Sequence, residues 1–288
     1  MGVIFMDYVT LNNGLKMPQL GIGVFQVEDQ KVAKSSVLTA LKNGYRLIDT
    51  AAAYFNEKAV GQAIKESGID RKDIFVTSKL WIQDMNYDAA KKGFQNSLDN
   101  LGLDYIDLYL LHQPINDIWG AWRALEELYS EGKIKAIGVS NFEPVRLADF
   151  IKFNKIRPAV NQVELHVFNQ QTAAVKYMKD RDVQPESWGP FAEGNHDIFN
   201  NQVLVKIANK YGKTSAQVAL RWLLQRGIVV IPKSVHENRI VENINVFDFK
   251  LSPEDMAEIA KLDIGHSEIV DHHDPKFIED IMNLRVHD

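Results

Sequence analysis

Short apolar runs rich in β-branched residues alternate along the chain with longer segments in which apolar residues recur every three to four positions. The short runs are typical of buried parallel strands and the longer segments of amphipathic helices. The pattern predicts eight strands, at residues 21–25, 46–50, 74–80, 106–112, 135–141, 159–165, 183–188 and 228–234. It predicts helices between and after them, at residues 32–43, 57–67, 88–101, 118–131, 144–153, 170–179, 215–226 and 237–243.

Two segments lie outside this alternation. Residues 8–17 read YVTLNNGLKM, and the Asn13-Gly14 pair supplies the positive φ angles of a tight turn, so a small β-hairpin is predicted there. From residue 251 the chain reads LSPEDMAEIAKLDI, which predicts an extra C-terminal helix with Ser252 as N-cap and Pro253 in its first turn. We expect this helix to cover part of a mouth or flank of the main fold.

Repeated strand–helix units build either a closed barrel or an open, doubly wound sheet. An open sheet would carry G-x-G-x-x-G after its first strand, but here Gly21 and Gly23 are followed by Gln26 where the third glycine would stand. No Gly/Ser/Pro-rich linker divides the 288 residues. The sequence therefore predicts an α/β fold in which residues 1–288 form a single (β/α)8 TIM barrel domain.

Composition excludes several classes of protein. The formal net charge of −5 argues against non-specific nucleic-acid binding, and the absence of cysteine excludes disulfides and thiolate chemistry. No apolar stretch is long enough for a membrane span, and residues 1–10 lack the pattern of a signal peptide, with Met6 where a myristoylation signal has Ser or Thr. We expect a cytoplasmic protein that binds neither nucleic acid nor membrane.

Polar side chains gather at the predicted carboxyl ends of the strands, where barrels of this kind carry their active sites. Burying so many polar groups without partners would cost several kcal/mol each, so we expect them to be functional. They are Asp49 with nearby Tyr54, Lys79, His112, Ser140, Asn141, Gln162, Glu164, Trp188, Lys233 and Ser234.

Four of these residues together suit proton transfer. A free Tyr has a pKa near 10 and is a weak acid at neutral pH, but a neighbouring ammonium such as Lys79 favours the phenolate. Asp49 would keep a buried Lys79 charged, and His112 would donate a hydrogen bond to a substrate oxygen. Taken singly, each residue also has an ordinary structural interpretation: a helix cap, a surface lysine, a rim histidine or a packed aromatic.

Three segments together resemble the aldo-keto reductase superfamily, and the likeness spans nearly the whole chain. GYRLIDTAAAY at 44–54 is similar to the segment with the catalytic aspartate and tyrosine, and LGLDYIDLYLLHQP at 101–114 to the one ending in the catalytic histidine. IPKSVHENRIVEN at 231–243 is similar to the cofactor phosphate segment, and TSKLW at 77–81 contains the matching lysine. QPESWGP at 184–190 resembles the bacterial 2,5-diketo-D-gluconate reductase-like branch.

The resemblance implies reduction of aldehydes or ketones to alcohols by a monomeric or weakly associating barrel, with NADPH as hydride donor. Tyr54 would be the general acid, Asp49 and Lys79 the pair that lowers its pKa, and His112 the residue that orients the substrate carbonyl. Phe25 and Trp81 would form apolar walls of the substrate pocket beside His112. The substrate would be a small carbonyl compound, a keto-sugar or an α-dicarbonyl.

The same resemblance implies the cofactor contacts. Ser140, Asn141 and Gln162 would hold the nicotinamide carboxamide, and Trp188 would stack on the ring. Lys233, Arg239 and Ser234, with the start of a helix, would suit a 2′-phosphate dianion, which favours NADPH over NADH. The full predicted cofactor set is Gly23, Val24, Ser140, Asn141, Gln162, Trp188, Gly189, Lys233, Ser234, Val235, Arg239, Glu242 and Asn243.

Several residues depart from the family pattern: Phe55, Gln113, Gly189, and Glu193 near the expected pyrophosphate loop. Two other functions remain open: a Schiff-base lyase that uses Lys79, and a regulatory or structural barrel that binds the cofactor without turnover. No metal is expected, because the adjacent His272, His273 and Asp274 in an irregular tail rarely converge on one ion.

Overall fold

Ten strands and eleven helices make up the fold in the computed structural model, which describes residues 6–288. The first two strands, β1 (Tyr8–Thr10) and β2 (Lys16–Pro18), form the predicted antiparallel hairpin. The other eight pair in parallel in chain order. They are β3 (Ile22–Gly23), β4 (Leu47–Asp49), β5 (Phe75–Leu80), β6 (Ile106–Leu111), β7 (Ile134–Ser140), β8 (Val160–Glu164), β9 (Gln184–Trp188) and β10 (Val229–Val230).

Parallel bridges join the first and last of these eight strands and close the sheet into a barrel. Leu20 bridges Val230 and Gly23 bridges Lys233, and the Gly21 N–H donates to the Val230 carbonyl at 2.9 Å. A side chain at Gly23 would bring its Cβ within 2.9 Å of the Ile231 carbonyl oxygen, so glycine allows the strands to approach here. The (β/α)8 prediction is confirmed.

The barrel interior is filled by alternate residues of the strands, because successive side chains in a strand point to opposite faces. Its apolar layer is closed below by Leu11 and Met17 of the hairpin segment. A larger apolar cluster lies between the strands and the surrounding helices. The interior layer consists of Leu47, Phe75, Leu108, Leu110, Ala136, Val160, Val229 and Ile231.

Eleven helices surround the strands in the described part of the chain, three more than the eight predicted for the repeated units. They are α1 (Gln30–Lys42), α2 (Glu57–Ser67), α3 (Tyr87–Leu101), α4 (Ile118–Ser130), α5 (Pro144–Phe153), α6 (Thr172–Lys179), α7 (Gln202–Tyr211), α8 (Ser215–Gln225), α9 (Glu237–Ile244), α10 (Pro253–Ala260) and α11 (Pro275–Met282). The helix α10 is the predicted extra one, and Ser252 caps it as expected. The helix α7 was missed, although Asn201 and Gly212 supply ordinary start and stop signals for it.

The two C-terminal helices have different positions. Asp255 of α10 accepts hydrogen bonds from Lys210 and Tyr211 at the end of α7, so α10 packs on the flank of the barrel. The segment with α11, which was not predicted, lies at the mouth instead: Phe277, Ile281 and Leu284 line the cavity there. None of the helices in residues 6–288 combines the length and apolarity needed to cross a bilayer.

Candidate active site

The strand period carries three of the predicted catalytic residues into the barrel mouth. Asp49 follows the interior residue Leu47 by two positions, and His112 follows Leu110 in the same way, so both side chains lie on the inner face. Lys79 is on the inner face near the end of β5. Tyr54 comes from the 3-10 turn Ala52–Tyr54 just after β4. The structure therefore brings the four residues together.

The Lys79 ammonium is fully buried and uses all three of its N–H donors. Its Nζ lies 2.6 Å from Asp49 Oδ1, 3.0 Å from the Thr50 carbonyl oxygen and 3.3 Å from the Tyr54 hydroxyl. Gln162 Nε2 donates to the other Asp49 oxygen at 2.9 Å. An ammonium offers three donors, so Lys79 is held in one position.

This environment keeps Lys79 charged. Burial alone would lower the pKa of Lys79, but the Asp49 carboxylate and the Tyr54 hydroxyl outweigh it, and the pKa is raised. A Schiff-base lysine must be available as a free amine. The geometry therefore disfavours the lyase alternative.

The pKa of Tyr54 differs from the prediction. Burial raises it, and the lowering effect of Lys79 does not compensate, since Asp49 also raises it. The prediction that the Lys79–Asp49 pair gives a net lowering is therefore wrong for this structure, although Lys79 itself acts in the predicted direction. Tyr54 remains a protonated phenol beside a fixed cation.

His112 is neutral. Burial, and next the charge of Lys79, hold the pKa of His112 well below its usual value. The ring lies edge-on to Tyr54 and to Trp81, with ring centroids 5.6 Å and 5.1 Å away. A neutral imidazole carries one N–H, so His112 can donate one hydrogen bond.

A cavity of about 720 Å³ opens above these residues. Asp49, Tyr54 and His112 form part of its floor, and the predicted substrate residues Phe25 and Trp81 both line it. The Phe25 ring lies 5.0 Å from that of Tyr54. The cavity thus joins an apolar wall to a floor that carries the Tyr54 hydroxyl.

Four predicted nicotinamide contacts line the same cavity and already bond to one another. Trp188 Nε1 donates to Asn141 Oδ1 at 2.8 Å, and Asn141 Nδ2 lies 3.2 Å from Ser140 Oγ. Ser140 Oγ donates in turn to the Gln162 carbonyl at 2.9 Å. A carboxamide here would meet both donors and acceptors, which fits the predicted group.

The predicted phosphate contacts are only partly brought to the cavity. Lys233 and Arg239 line it, and neither forms an ion pair within residues 6–288. Lys233 precedes α9 and Arg239 belongs to its first turn, so two unpaired cations at a helix start without a side-chain cap fit a phosphate. Gly23 and Gly189 also line the cavity, whereas Val24, Ser234, Val235, Glu242 and Asn243 do not. Of these, Glu242 accepts from Thr214 and Ser234 from the His236 N–H.

Sequence reasoning missed two features of the site. Glu186 is completely buried in β9, two residues before Trp188 on the same face. The C-terminal segment contributes His272, whose Nε2 lies 3.0 Å from Gln113 Oε1 in the cavity wall. The strand period was sufficient to find Glu186, but no local signal showed where the tail would lie.

Comparison with known proteins gives the relationship directly. The family described as "Aldo/keto reductase family" matches residues 19–264. This chain belongs to the aldo/keto reductase family. The resemblance inferred from the sequence is thereby confirmed.

Relatives within the aldo/keto reductase family cover most of the chain. Glyoxal reductase of Bacillus subtilis (strain 168) is 51% identical over 257 residues, which are 89% of this chain and 92% of that protein. Methylglyoxal reductase DkgA of Escherichia coli (strain K12) is 45% identical over 260 residues, 89% of this chain and 94% of that protein. The crystal structure of a Bombyx mori aldo-keto reductase in complex with NADP superposes with a TM-score of 0.88 at 33% identity, covering 93% of this chain and 95% of that one.

Proposed function

We propose that this aldo/keto reductase reduces small aldehydes and ketones to alcohols with NADPH, and that Tyr54 is the proton donor. The observation that carries the proposal is the Lys79 ammonium, whose donors are fixed on Asp49, the Thr50 carbonyl and the Tyr54 hydroxyl. A cation held 3.3 Å from the phenol stabilises the phenolate that forms when the proton leaves.

NADPH is the cofactor that the residues fit. Ser140, Asn141 and Gln162 would hold its carboxamide and Trp188 its ring, while Lys233 and Arg239 would bind the adenosine phosphate. When bound, NADPH supplies a hydride from C4 of its nicotinamide to the substrate carbonyl carbon. The unpaired charges of Lys233 and Arg239 support NADPH over NADH.

The residues of the chain account for the proton. His112 donates a hydrogen bond to the carbonyl oxygen and orients it, and Tyr54 transfers its hydroxyl proton to that oxygen as negative charge develops there. Lys79 then faces the phenolate, and Asp49 holds Lys79 in position. Phe25 and Trp81 keep water away from the reacting carbonyl.

We propose an α-oxoaldehyde as the preferred substrate class. Two relatives are named glyoxal reductase and methylglyoxal reductase. In this chain Gln113 and His272 place an amide and an imidazole on the cavity wall near His112. These groups suit the second oxygen of a dicarbonyl while His112 takes the first.

Three further properties are part of the proposal. Residues 1–288 are proposed to form one domain, to act as a monomer and to work in the cytoplasm. The one eight-stranded sheet supports a single domain, the net charge of −5 favours a monomer, and the absence of cysteine favours a reducing compartment.

The decisive experiment is NADPH oxidation followed by absorbance with methylglyoxal, glyoxal and simple aldehydes, for the parent protein and Tyr54→Phe. We expect Tyr54→Phe to lower kcat by about a hundredfold, the size typical of losing a general acid, with NADPH binding retained. Binding of NADPH without turnover by the parent would instead favour the regulatory barrel.

A further inference from the structure

Glu186 is a second carboxyl group inside the barrel, separate from the Asp49 ion pair. Its side chain is 0% exposed, and neither Oε1 nor Oε2 has a hydrogen-bond partner in residues 6–288. Across the sheet it lies opposite Gln162 of β8 and Val229 of β10. Glu186 precedes Trp188 by two residues, so its side chain is on the same inner face, one inward-facing position farther from the barrel mouth.

The surroundings of Glu186 do not support an ionised carboxylate. The interior layer nearby is apolar, with Val160, Val229 and Leu110 among its members. A buried carboxylate without donors costs several kcal/mol or takes up a proton. Burial, and next the negative charge of Asp49, raise the pKa of Glu186 to about 8.

Glu164 provides an internal comparison on the neighbouring strand. It is also buried, but His166 Nε2, Asn169 Nδ2 and Ser267 Oγ lie 3.0, 3.1 and 2.5 Å from its oxygens. Burial alone would raise the pKa of Glu164, yet these hydrogen bonds lower it. Glu186 lacks such a set of close donors: the nearby Gln162 amide and the Lys79 charge lower its pKa, but burial and the Asp49 charge outweigh them.

The titratable groups that face Glu186 all belong to the proton-transfer site. They are Asp49 from β4, Lys79 from β5 and Tyr54 from the turn after β4, whereas Gln162 and Val229 on the flanking strands do not titrate. The three donors of Lys79 are already engaged elsewhere. No ammonium N–H is left for Glu186.

We propose that Glu186 is a positioning residue that works as a neutral carboxylic acid below the Asp49–Lys79 pair. While Glu186 is neutral, Asp49 is the single carboxylate that balances the Lys79 charge. When Glu186 loses its proton to solvent, a second negative charge faces Lys79 and Tyr54. That charge raises the pKa of Tyr54, and the phenol becomes a weaker acid. This role rests on the proposed reductase activity, but the protonation of Glu186 does not.

Infrared difference spectroscopy of the protein with ¹³C-labelled glutamate tests the protonation without turnover. We expect the carbonyl stretch of one protonated glutamic acid at pH 7, its loss as the pH rises through about 8, and its absence in Glu186→Gln. If the labelled protein shows no carbonyl stretch of a protonated glutamic acid at pH 7, the proposal is overturned. This measurement needs only the parent protein if the variant does not fold.

The pH profile of kcat for carbonyl reduction tests the effect on Tyr54. We expect kcat of the parent to fall about three- to tenfold between pH 7 and 9.5, a change equivalent to a shift of up to one pKa unit in the donor. In Glu186→Gln, which stays neutral, this decline should be absent. Thr77→Val is the matched control, because Thr77 Oγ1 is also buried without a partner in the described residues but does not titrate.

The outcomes separate the two proposals. A parent that shows the glutamic acid signal but no turnover contradicts the reductase activity and leaves the protonation of Glu186 established. A parent that turns over with a pH profile identical to that of Glu186→Gln contradicts the positioning role. If the fall of kcat at high pH is absent from Thr77→Val as well, a general change in packing explains it. That result would also contradict the positioning role of Glu186.

Discussion

His272 Nε2 lies 3.0 Å from Gln113 Oε1, although 159 residues separate the two in the chain. The same Gln113 oxygen lies 3.3 Å from Asn141 Nδ2, and Asn141 in turn accepts from Trp188 Nε1. A hydrogen-bond chain therefore connects the C-terminal segment to the predicted nicotinamide contacts. The tail is part of the cavity wall and not only a cover over it.

Gln113→Leu should change substrate preference. Leu keeps approximately the size of the side chain but removes the amide that is proposed to meet a second substrate oxygen. We expect kcat/KM for methylglyoxal to fall about tenfold, the equivalent of one lost hydrogen bond, while kcat/KM for propanal changes by less than about twofold. Steady-state kinetics with both substrates measures this.

His273→Ala is the control for the C-terminal segment. His273 is exposed and faces Glu143 and Asp271, and it does not line the cavity. Both substrates should be unaffected. An equal loss for methylglyoxal and propanal in Gln113→Leu would argue against a dicarbonyl contact.

Arg239→Ala should weaken NADPH binding selectively. Arg239 lines the cavity beside Lys233 and has no ion-pair partner among the described residues, so its charge is available for a phosphate. We expect KM for NADPH to rise about tenfold to a hundredfold, as for a lost charge-assisted hydrogen bond, with little change in KM for NADH. Lys176→Ala on α6 removes a cation outside the cavity and should change neither. Equal effects of Arg239→Ala on both cofactors would contradict the phosphate assignment.

The contact between α10 and α7, which Asp255 makes with Lys210 and Tyr211, should weaken at acid pH. Burial alone would raise the pKa of Asp255, but hydrogen bonds from Lys210, Tyr211 and Ser252 lower it to about 2. A carboxyl whose pKa is lower in the folded protein stabilises the fold above its unfolded value of about 3.9 and loses that contribution as the pH falls through the folded value.

Asp255→Asn tests this dependence. Because the Lys210 side chain is 53% exposed, solvent screens the pair, and we expect a loss of only about 1 kcal/mol at pH 7. The difference between parent and variant should shrink between about pH 4 and pH 2. Urea unfolding at several pH values measures it, and a difference that stays constant down to pH 2 would contradict the assignment.

The barrel was predictable because its information is local. Short apolar runs between amphipathic segments identified the strands, and the predicted carboxyl ends of these strands located Asp49, Lys79 and His112 at the barrel mouth. Each of these features depends on a few neighbouring residues in the sequence.

Other features depend on how distant segments meet. The sign of the Tyr54 pKa shift required the balance between burial and the Lys79 charge, and the sequence shows only the charge. The contact of His272 with Gln113 spans most of the chain and has no periodic signal. The helix α11 was missed although Asp274 and Pro275 are ordinary start signals, but its position at the barrel mouth has no local signal in the sequence.

The buried ion pair leads to the last prediction. Replacing Lys79 by Met would leave Asp49 inside the barrel with Gln162 as its remaining side-chain hydrogen-bond donor, within the described residues. Breaking one side of a buried pair costs about 3–5 kcal/mol, while removing both charges together costs much less. We therefore expect Lys79→Met to lower the midpoint of urea unfolding strongly and the double variant Asp49→Asn/Lys79→Met to recover a large part of the loss. Both variants should lack activity, since Tyr54 loses its cation in each. If the double variant is no more stable than Lys79→Met, the uncompensated charge of Asp49 is not the cause of the instability, and the packing of the Lys79 side chain must account for it.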